Sequence, residues 1–456
     1  MTSFKYHKIY ISSLVVLLLA GLYSCKKMID INSPVGELTN DKVYSDNSSA
    51  TSAALSMYYR FAVITSLNSD IALTSGLCAD ELTDFNNYYL AFQVNSIQVN
   101  NNINASLWTE LYNVIYHSNA LMEGLANSSN VTGEVVNTLT AEGKFMRALC
   151  YFELVNIYGD VPLVISTDVS INRNLGRTPT ADVYAQIIKD LQEAQAALPE
   201  SYITTERVRA NKYAATALLA RVYLYQGKWS DAETQASLVI QNAQYALNND
   251  LNAVFTKNNN EAILQFWNQS GYTDLAGLFI PGGSGPNIYL NASLMAAIED
   301  GDQRRVKWID SIVFNNVKYY YPVKYKNAVS NNITQNEYLM LLRLGEQYLI
   351  RAEARAEQNN ISGSQADLNK IRVRASLDSV VLTNQSDLLS AIEKERRIEL
   401  FTEWEHRWFD LKRTGRVNTV LALEKPQNWK PTAALFPIPI LELNANPNLK
   451  QNPGYN

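Results

Sequence analysis

LLARVYLYQGKWSDAETQASLVI, residues 218–240, holds two apolar-periodic runs joined at one glycine. Leu219, Ala220, Tyr223, Gly227, Trp229 and Ala232 fall at the spacing of a tetratricopeptide helix pair. The small side chains let two antiparallel helices approach, Gly227 makes the turn, and the aromatic rings fill the space between helices. Residues 348–375 (YLIRAEARAEQNNISGSQADLNKIRVRA) read as a second, looser unit. A third is LYNVIYHSNALMEGL followed by AEGKFMRALCYFELVNIYGD, at 111–125 and 141–160. A few units without a strict repeat predict a helical buttress and not a long solenoid.

Outward from these units, helical periodicity predicts helices over Ser49–Phe61, Leu107–Leu125, Thr138–Tyr158, Thr180–Leu198, Asn211–Gln226 and Trp229–Asn242. It returns at Tyr338–Gln358, Gly363–Arg374 and Ser386–Lys412. Between about Tyr245 and Asn332 the signals are mixed. ILQFW and VKYYYPVKY read as short strands, and GYTDLAGLFIPGGSGPNIYL reads as an irregular loop. From Pro426 the chain is rich in proline and asparagine and is expected to be extended. The predicted fold is mainly α: tetratricopeptide-like helical repeats packed against an irregular, loop-rich half with a few short strands.

The 456 residues are 47% hydrophobic and 18% charged, enough apolar material for a sizeable core. A net charge of -5 without long runs of one sign gives no electrostatic footprint for nucleic acid. Tyrosine (27 residues) and asparagine are abundant; both suit polar binding surfaces, and tyrosine also suits a core whose hydroxyls are satisfied. With three histidines and no H-E-x-x-H, phosphate-binding glycine loop or G-x-S-x-G, no metal, cofactor or nucleophile site is expected. Cys78 and Cys150 lie in apolar contexts that favour lone buried thiols, with pairing left open.

At the amino terminus, Lys5 and Lys8 precede an apolar run, Ile9–Leu22, too short to span a bilayer comfortably. It ends in Leu22-Tyr23-Ser24-Cys25, which resembles a bacterial lipobox. That resemblance implies removal of residues 1–24 and a diacylglycerol on Cys25, with several acyl chains giving a stable anchor.

Five ordered blocks resemble the SusD/RagB lipoproteins of the Bacteroidetes outer surface. The first runs from Ala141-Glu142 through Phe145, Arg147-Ala148 and Tyr151-Phe152 to Tyr158-Gly159-Asp160-Val161-Pro162-Leu163. The second is Ala214-Ala215 through Leu218-Leu219-Ala220-Arg221 to Leu224, and the third is Arg343-Leu344, Glu346, Ala352-Glu353-Ala354, Asn369 and Ile371-Arg372. The fourth is Glu395-Arg396-Arg397, Glu399-Leu400, Arg407-Trp408, Asp410-Leu411, Arg413 and Gly415, and the fifth is the Pro437-Ile438-Pro439 to Gln451-Asn452-Pro453-Gly454-Tyr455 terminus. Gly345 stands where alanine is commoner, and Trp404 with Glu405-His406 replaces a commoner small residue.

The resemblance implies a non-catalytic, lipid-anchored outer-membrane protein, facing outward, that holds an oligosaccharide, or in some branches a peptide. It would deliver this ligand to a SusC-like TonB-dependent transporter. It further implies a helical region over 25–230, a loop-rich ligand side over 231–335 and a carboxyl-terminal family region over 336–456.

Sugar binding calls for flat aromatic faces beside planar hydrogen-bonding groups. Two loop-rich stretches supply them: Asp84, Asn86 and Tyr88 around Phe85–Tyr89, and Trp267, Tyr272 and Tyr289 with Asn287. The rival readings are a pure scaffold and a glycoside hydrolase using the carboxylates of CADELTDF (Asp80, Glu81, Asp84). Glu403 and Glu405, two apart on a predicted helix, point away from each other, and Glu299-Asp300-Gly301-Asp302 lacks the spacing of a calcium loop. Arg147, Tyr151 and Tyr158 share a helix face and are expected to pack between repeats, while Glu393 and Arg397 are spaced for a surface ion pair.

Overall fold

Asparagine starts four of the long helices. The side chains of Asn101, Asn211, Asn360 and Asn384 each accept a hydrogen bond from the backbone amide three residues on, satisfying one of the free N–H groups of the first turn. The computed structural model describes residues 43–64, 67–283, 285–328 and 336–455; Cys25 and the whole expected signal segment lie outside the described residues. The helices of eight residues or more are α1 (Asn47–Tyr59), α2 (Leu67–Cys78), α3 (Asn102–Asn127), α4 (Gly133–Tyr158), α5 (Thr180–Ala197), α6 (Lys212–Tyr225), α7 (Trp229–Ile240), α8 (Leu344–Glu357), α9 (Ile361–Arg374), α10 (Gln385–Glu399), α11 (His406–Arg413) and α12 (Val417–Glu424).

From α3 to α9 each helix packs on the next, including α7 on α8 across the long middle segment. The turn between α6 and α7 is made by Gly227 at φ 65°, where a residue with Cβ is disfavoured. Buried ion pairs staple the stack. The Arg147 guanidinium on α4 donates to both Asp190 oxygens on α5 (2.8 and 2.7 Å) and to Asn119 Oδ1 on α3 (2.7 Å). Arg221 on α6 holds Glu346 on α8 (2.7 and 2.8 Å), and Arg351 on α8 holds Asp367 on α9 (2.8 and 2.7 Å). The expected packing roles of Arg147, Tyr151 and Tyr158 are what the structure contains: Tyr151 Oη donates to the Val164 carbonyl (2.9 Å), and Tyr158 Oη to the Asn104 carbonyl (3.1 Å).

Among the described residues six strands form three antiparallel pairs: β1 (Leu82–Asp84) with β3 (Ile288–Leu290), β2 (Ala262–Phe266) with β6 (Leu339–Arg343), and β4 (Ile309–Phe314) with β5 (Val317–Pro322). Two of the expected helices are corrected here. Residues 339–343, expected at the head of a helix, form β6, because Leu339-Met340-Leu341-Leu342 is buried on every side and pairs with β2. The single helix expected over Ser386–Lys412 is broken between α10 and α11, with Thr402 and Trp404 at φ 55° and 52°.

The break is held by side chains from elsewhere. Lys324 Nζ and Arg343 Nη2 donate to the Glu399 carbonyl (both 2.9 Å), and Trp404 Nε1 donates to the Met340 carbonyl (2.6 Å). The expected Glu393–Arg397 pair is not formed: Glu393 binds Arg407 and Arg416, and Arg397 binds Asp80. At the carboxyl terminus, the buried Asn452 amide donates to the carbonyls of Tyr158 (2.9 Å) and Phe436 (2.7 Å), closing the tail over the end of α4. Cys78 and Cys150 are buried, unpaired thiols.

Candidate ligand-binding site

β1 and β3 bring together two loops that lie about 200 residues apart in sequence. Thr83 is opposite Tyr289, the Phe85 amide donates to the Asn287 carbonyl (2.8 Å), and the Asn291 amide donates to the Glu81 carbonyl (2.7 Å). Asp84 is buried, and its carboxylate accepts from the amides of Asn86 (3.0 Å) and Tyr89 (2.5 Å). This Asp84 cap, with Asn87 at φ 59°, folds the loop back and leaves Tyr88 78% exposed. Tyr88 stands edge-on to Tyr89 with centroids 4.9 Å apart, and Asn86 Nδ2 reaches Asn287 Oδ1 at 3.4 Å.

The β4–β5 hairpin adds residues that sequence reading had not put at the site. Its two-residue turn, Asn315-Asn316, has both φ angles positive (50° and 63°), the geometry that matches strand twist. Its register opposes Ile312 to Tyr319. Tyr319 lies 5.0 Å from Tyr289 and 5.4 Å from Phe85, both edge-on, and Phe314 lies 5.7 Å from Phe85. Gly285 passes so close to Phe314 that an added Cβ would sit 3.1 Å from its ring. Burial raises the Tyr289 hydroxyl pKa above its ordinary value, so it stays protonated as a donor and acceptor. The Asn-Asn of FNNV, flanked by alternating strand residues, was the signal that could have found this hairpin.

Asp84, Asn86, Tyr88 and Tyr289 are therefore gathered around one pair of strands. Trp267, 41% exposed at the end of β2, lies instead in an apolar groove of about 470 Å³ with Leu55, Tyr58, Tyr59 and Val208. Tyr272 is half-buried in the following loop. Among the described residues no hydrogen bond or ring contact joins Trp267 or Tyr272 to the Tyr88–Tyr289 cluster.

The carboxylates considered for hydrolysis are committed elsewhere. Asp80 takes a bidentate bond from Arg407 (2.7 and 2.9 Å) and a contact from Arg397 (2.9 Å). Burial opposes its ionisation, yet these guanidiniums hold it below the usual carboxylate range. Glu81 beside it is pushed up to about 7, by burial first and by Asp80 second, and both residues are walled in. Glu403 is held by Arg343 and Lys324, Glu299 by Arg372 and Lys394, and Asp302 by Arg304. Among the described residues no group of three or more His, Cys, Asp or Glu side chains could hold a metal ion.

Two family models match the chain. One, described as starch-binding and associating with the outer membrane, covers residues 34–224; the other, the SusD family, covers 306–455. The chain belongs to the SusD/RagB family. SusD-like protein P25 of Formosa agariphila is 24% identical, with 97% of this chain and 98% of that protein aligned. A SusD superfamily protein from Parabacteroides distasonis is 25% identical with a TM-score of 0.77, covering 92% of this chain and all of that one. A laminarin-binding SusD-like protein shares the fold at a TM-score of 0.78 and 24% identity, covering 90% of this chain. The matched SusD/RagB segments contain α1–α5 and most of α6 on one side, and β4, β5 and α8–α12 on the other. β2, β3 and the loop carrying Asn287 fall between them.

Proposed function

We propose that this SusD/RagB protein captures an oligosaccharide on the face made by Asn86, Tyr88, Asn287, Tyr289 and Tyr319 and passes it, unaltered, to a SusC-like TonB-dependent transporter. The observation that carries the reading is the convergence, across β1 and β3, of an exposed tyrosine with an amide pair and a tyrosine–tyrosine edge contact. Aromatic rings lie against the C–H faces of a sugar while the amides and hydroxyls take its hydroxyl groups. In this reading Asp84 shapes the loop, and Asn86, Tyr88 and Tyr289 meet the ligand. The capture of ligand without turnover is supported by the engagement of Asp80, Glu403, Glu299 and Asp302 with buried or partly buried cations.

The same reading places the protein at the outer membrane, held by acyl chains on Cys25 and facing outward, as its family resemblance implies. The helical regions over 25–230 and 336–456 form the buttress toward the transporter, and the 231–335 region carries most of the ligand side. The apolar groove at Trp267, Tyr58 and Tyr59 favours a second reading, in which the ligand is a peptide whose apolar side chain enters there.

Purified protein run through native gels cast with laminarin, starch and other polysaccharides, with assay of the same mixtures for new reducing ends, tests both. Retardation by one glycan without new ends is the expected outcome. New reducing ends would overturn the reading in favour of an enzyme. Retardation by no glycan together with binding of a peptide pool would favour the second reading.

A further inference from the structure

The chain after α7 and the chain after α9 enclose a cavity of about 820 Å³ at the start of α8 and along one face of α9. Leu247, Leu344 and Tyr348 make its apolar wall. Leu247 and Tyr348 pack against both apolar clusters of the molecule, the main core and the smaller one shared by α8, α9 and α10, so the cavity lies along the seam between them. Both flanks are pinned. Asn369 of α9 donates from Nδ2 to the Val380 carbonyl (3.0 Å) and accepts at Oδ1 from the Val380 amide (2.9 Å), which fixes Ser379 at the rim. On the other flank, the Ala246 amide donates to the Asn260 carbonyl (3.0 Å) and the Asn248 amide to Glu261 Oε2 (3.2 Å), which fixes Asn249.

The charges in the lining are of one sign. Lys370 and Arg374, one helical turn apart on α9, are the charged residues that line the cavity. The Arg374 guanidinium is balanced by Glu261 and Glu399. Lys370 is exposed and, among the described residues, has no ion pair and no hydrogen bond. The acids beside the lining residues in sequence do not balance it. Asp367 is bound by Arg351 and Arg355, Asp250 accepts from the Asn252 amide (2.9 Å), and the exposed Asp378 makes no ion pair with Lys370. Arg351, whose guanidinium lies 5.7 Å from the Tyr348 ring centroid, is itself the cation bound to Asp367. The side chains of Asn249 and Ser379 and the Tyr348 hydroxyl are likewise without a hydrogen bond among the described residues.

We propose that this cavity is a second saccharide site, selective for a sugar that carries an anionic group, either a carboxylate or a sulfate ester. The proposal rests on the reading of the ligand as a saccharide, and not on the Tyr88–Tyr289 face. Lys370 pairs with the anion. Asn249, Ser379 and the Tyr348 hydroxyl take the sugar's hydroxyl groups, and Leu247 with the Tyr348 ring gives the C–H groups an apolar wall.

The preference follows from charge and shape. A neutral sugar displaces water from the Lys370 ammonium and leaves it unpaired, whereas an anionic sugar supplies the counter-charge. A lone exposed ion pair contributes little in water. Here the cation is joined by neutral hydrogen-bonding side chains and an apolar wall, and a charge-assisted hydrogen bond is the stronger kind. Because the ammonium is open to solvent, salt screens the attraction. The free amide, the free hydroxyls and the tyrosine wall match a hydroxyl-rich ring, which favours a saccharide over an acidic peptide.

Isothermal titration of the purified protein with trigalacturonate, a sulfated carrageenan tetrasaccharide, neutral maltotriose and an aspartate-rich peptide makes the test. At least one of the two anionic saccharides is expected to bind, and which one binds separates carboxylate from sulfate. Lys370→Glu should weaken that binding by about 10-fold or more, and Lys370→Arg should keep it. Lys189→Glu makes the same charge change at an exposed lysine of α5 and should leave binding unaltered, as should Tyr88→Ala. Added salt should weaken the wild-type interaction, a readout that needs no variant. Binding of neither anionic saccharide, equal binding by wild type and Lys370→Glu, maltotriose bound as tightly, or a preference for the acidic peptide would each overturn the proposal. Loss of anionic binding in Tyr88→Ala but not in Lys370→Glu would move the anion to the Tyr88–Tyr289 face, overturning the second site and leaving the first reading intact. Conversely, Lys370-dependent binding supports the second site even where Tyr88→Ala retains glycan fully in gels, a result that would remove the Tyr88–Tyr289 face alone.

Discussion

Tyr151 and Tyr88 are the same residue type put to opposite uses. Tyr151 is fully buried, and its hydroxyl both donates to the Val164 carbonyl and accepts from the Val164 amide (2.9 and 2.6 Å). Tyr151→Phe leaves the half-buried Val164 amide without its partner, while the Val164 carbonyl keeps the Asn119 amide (3.1 Å), and is expected to destabilise by about 1 kcal/mol, read by chemical denaturation. Tyr88→Ala should leave the denaturation midpoint unchanged. Its effect belongs to ligand: retention by the bound glycan should weaken roughly 2- to 12-fold in affinity gels, the worth of one aromatic contact. Unchanged retention would remove Tyr88 from the site. Asparagine divides in the same way. Asn86 and Asn287 face the candidate site, while Asn101, Asn211, Asn360 and Asn384 cap helices and Asn87, Asn315 and Asn316 occupy left-handed turns. Much of the asparagine that composition alone would assign to a binding surface is therefore backbone chemistry, and Asn384→Ala, at an exposed cap, should cost about 1 kcal/mol of stability without touching binding.

At the scale of elements, the β4–β5 hairpin and the α4–α5 pair show what local and non-local forces each contribute. The hairpin's register depends on Asn315-Asn316 holding positive φ at both turn positions. Asn316→Val puts a β-branched residue there at a cost of about 1–2 kcal/mol. The expected result is a displaced Tyr319, seen as a changed near-ultraviolet tyrosine signal and reduced glycan retention, with the main unfolding transition preserved. The α4–α5 contact rests on apolar stripes visible in sequence, but its polar staple does not. Arg147 binds Asp190 43 residues away, both nearly inaccessible. Arg147→Ala strands a buried carboxylate and should destabilise by about 3–5 kcal/mol in denaturant titrations. The broken helix between α10 and α11 is of the second kind. Its periodicity continues through the break, and only the donors brought by Lys324, Arg343 and the Trp404 ring to distant carbonyls make a turn cheaper than more helix.

For the whole molecule, the decisive feature is a buried ionic network that joins the loop-rich middle to the carboxyl-terminal helices. Arg343 reaches Glu261, Glu399 and Glu403; Arg374 reaches Glu261 and Glu399; Arg304 reaches Asp302, Glu395 and Glu399. Burial opposes the charge on Glu399, but the three guanidiniums outweigh it and hold its pKa well below the usual range; Glu403, Asp410 and Asp80 are lowered by the same balance. A lowered folded pKa gives stability that is present above the unfolded value of about 4 and is lost as pH falls through the folded one. Melting temperatures should therefore drop steeply below about pH 4. Glu399→Gln, which leaves the arginines short of an anion, should cost about 3–5 kcal/mol at neutral pH and soften that acid slope. A slope identical to wild type would remove Glu399 from the acid response. The helical stack, its order and most helix ends were determined by sequence alone, because apolar spacing, asparagine caps and Gly227 act within a few residues of chain. The family blocks likewise identified the chain before any contact was known. Only the tertiary structure decided that Leu339–Arg343 is a strand, that Asp80 is bound by an arginine 327 residues away, and that Tyr319 joins Tyr289 at the candidate site while Trp267 stands elsewhere. The physical reason is one of range: burial on both faces, charge pairing and the meeting of two loops depend on partners that sequence proximity does not name.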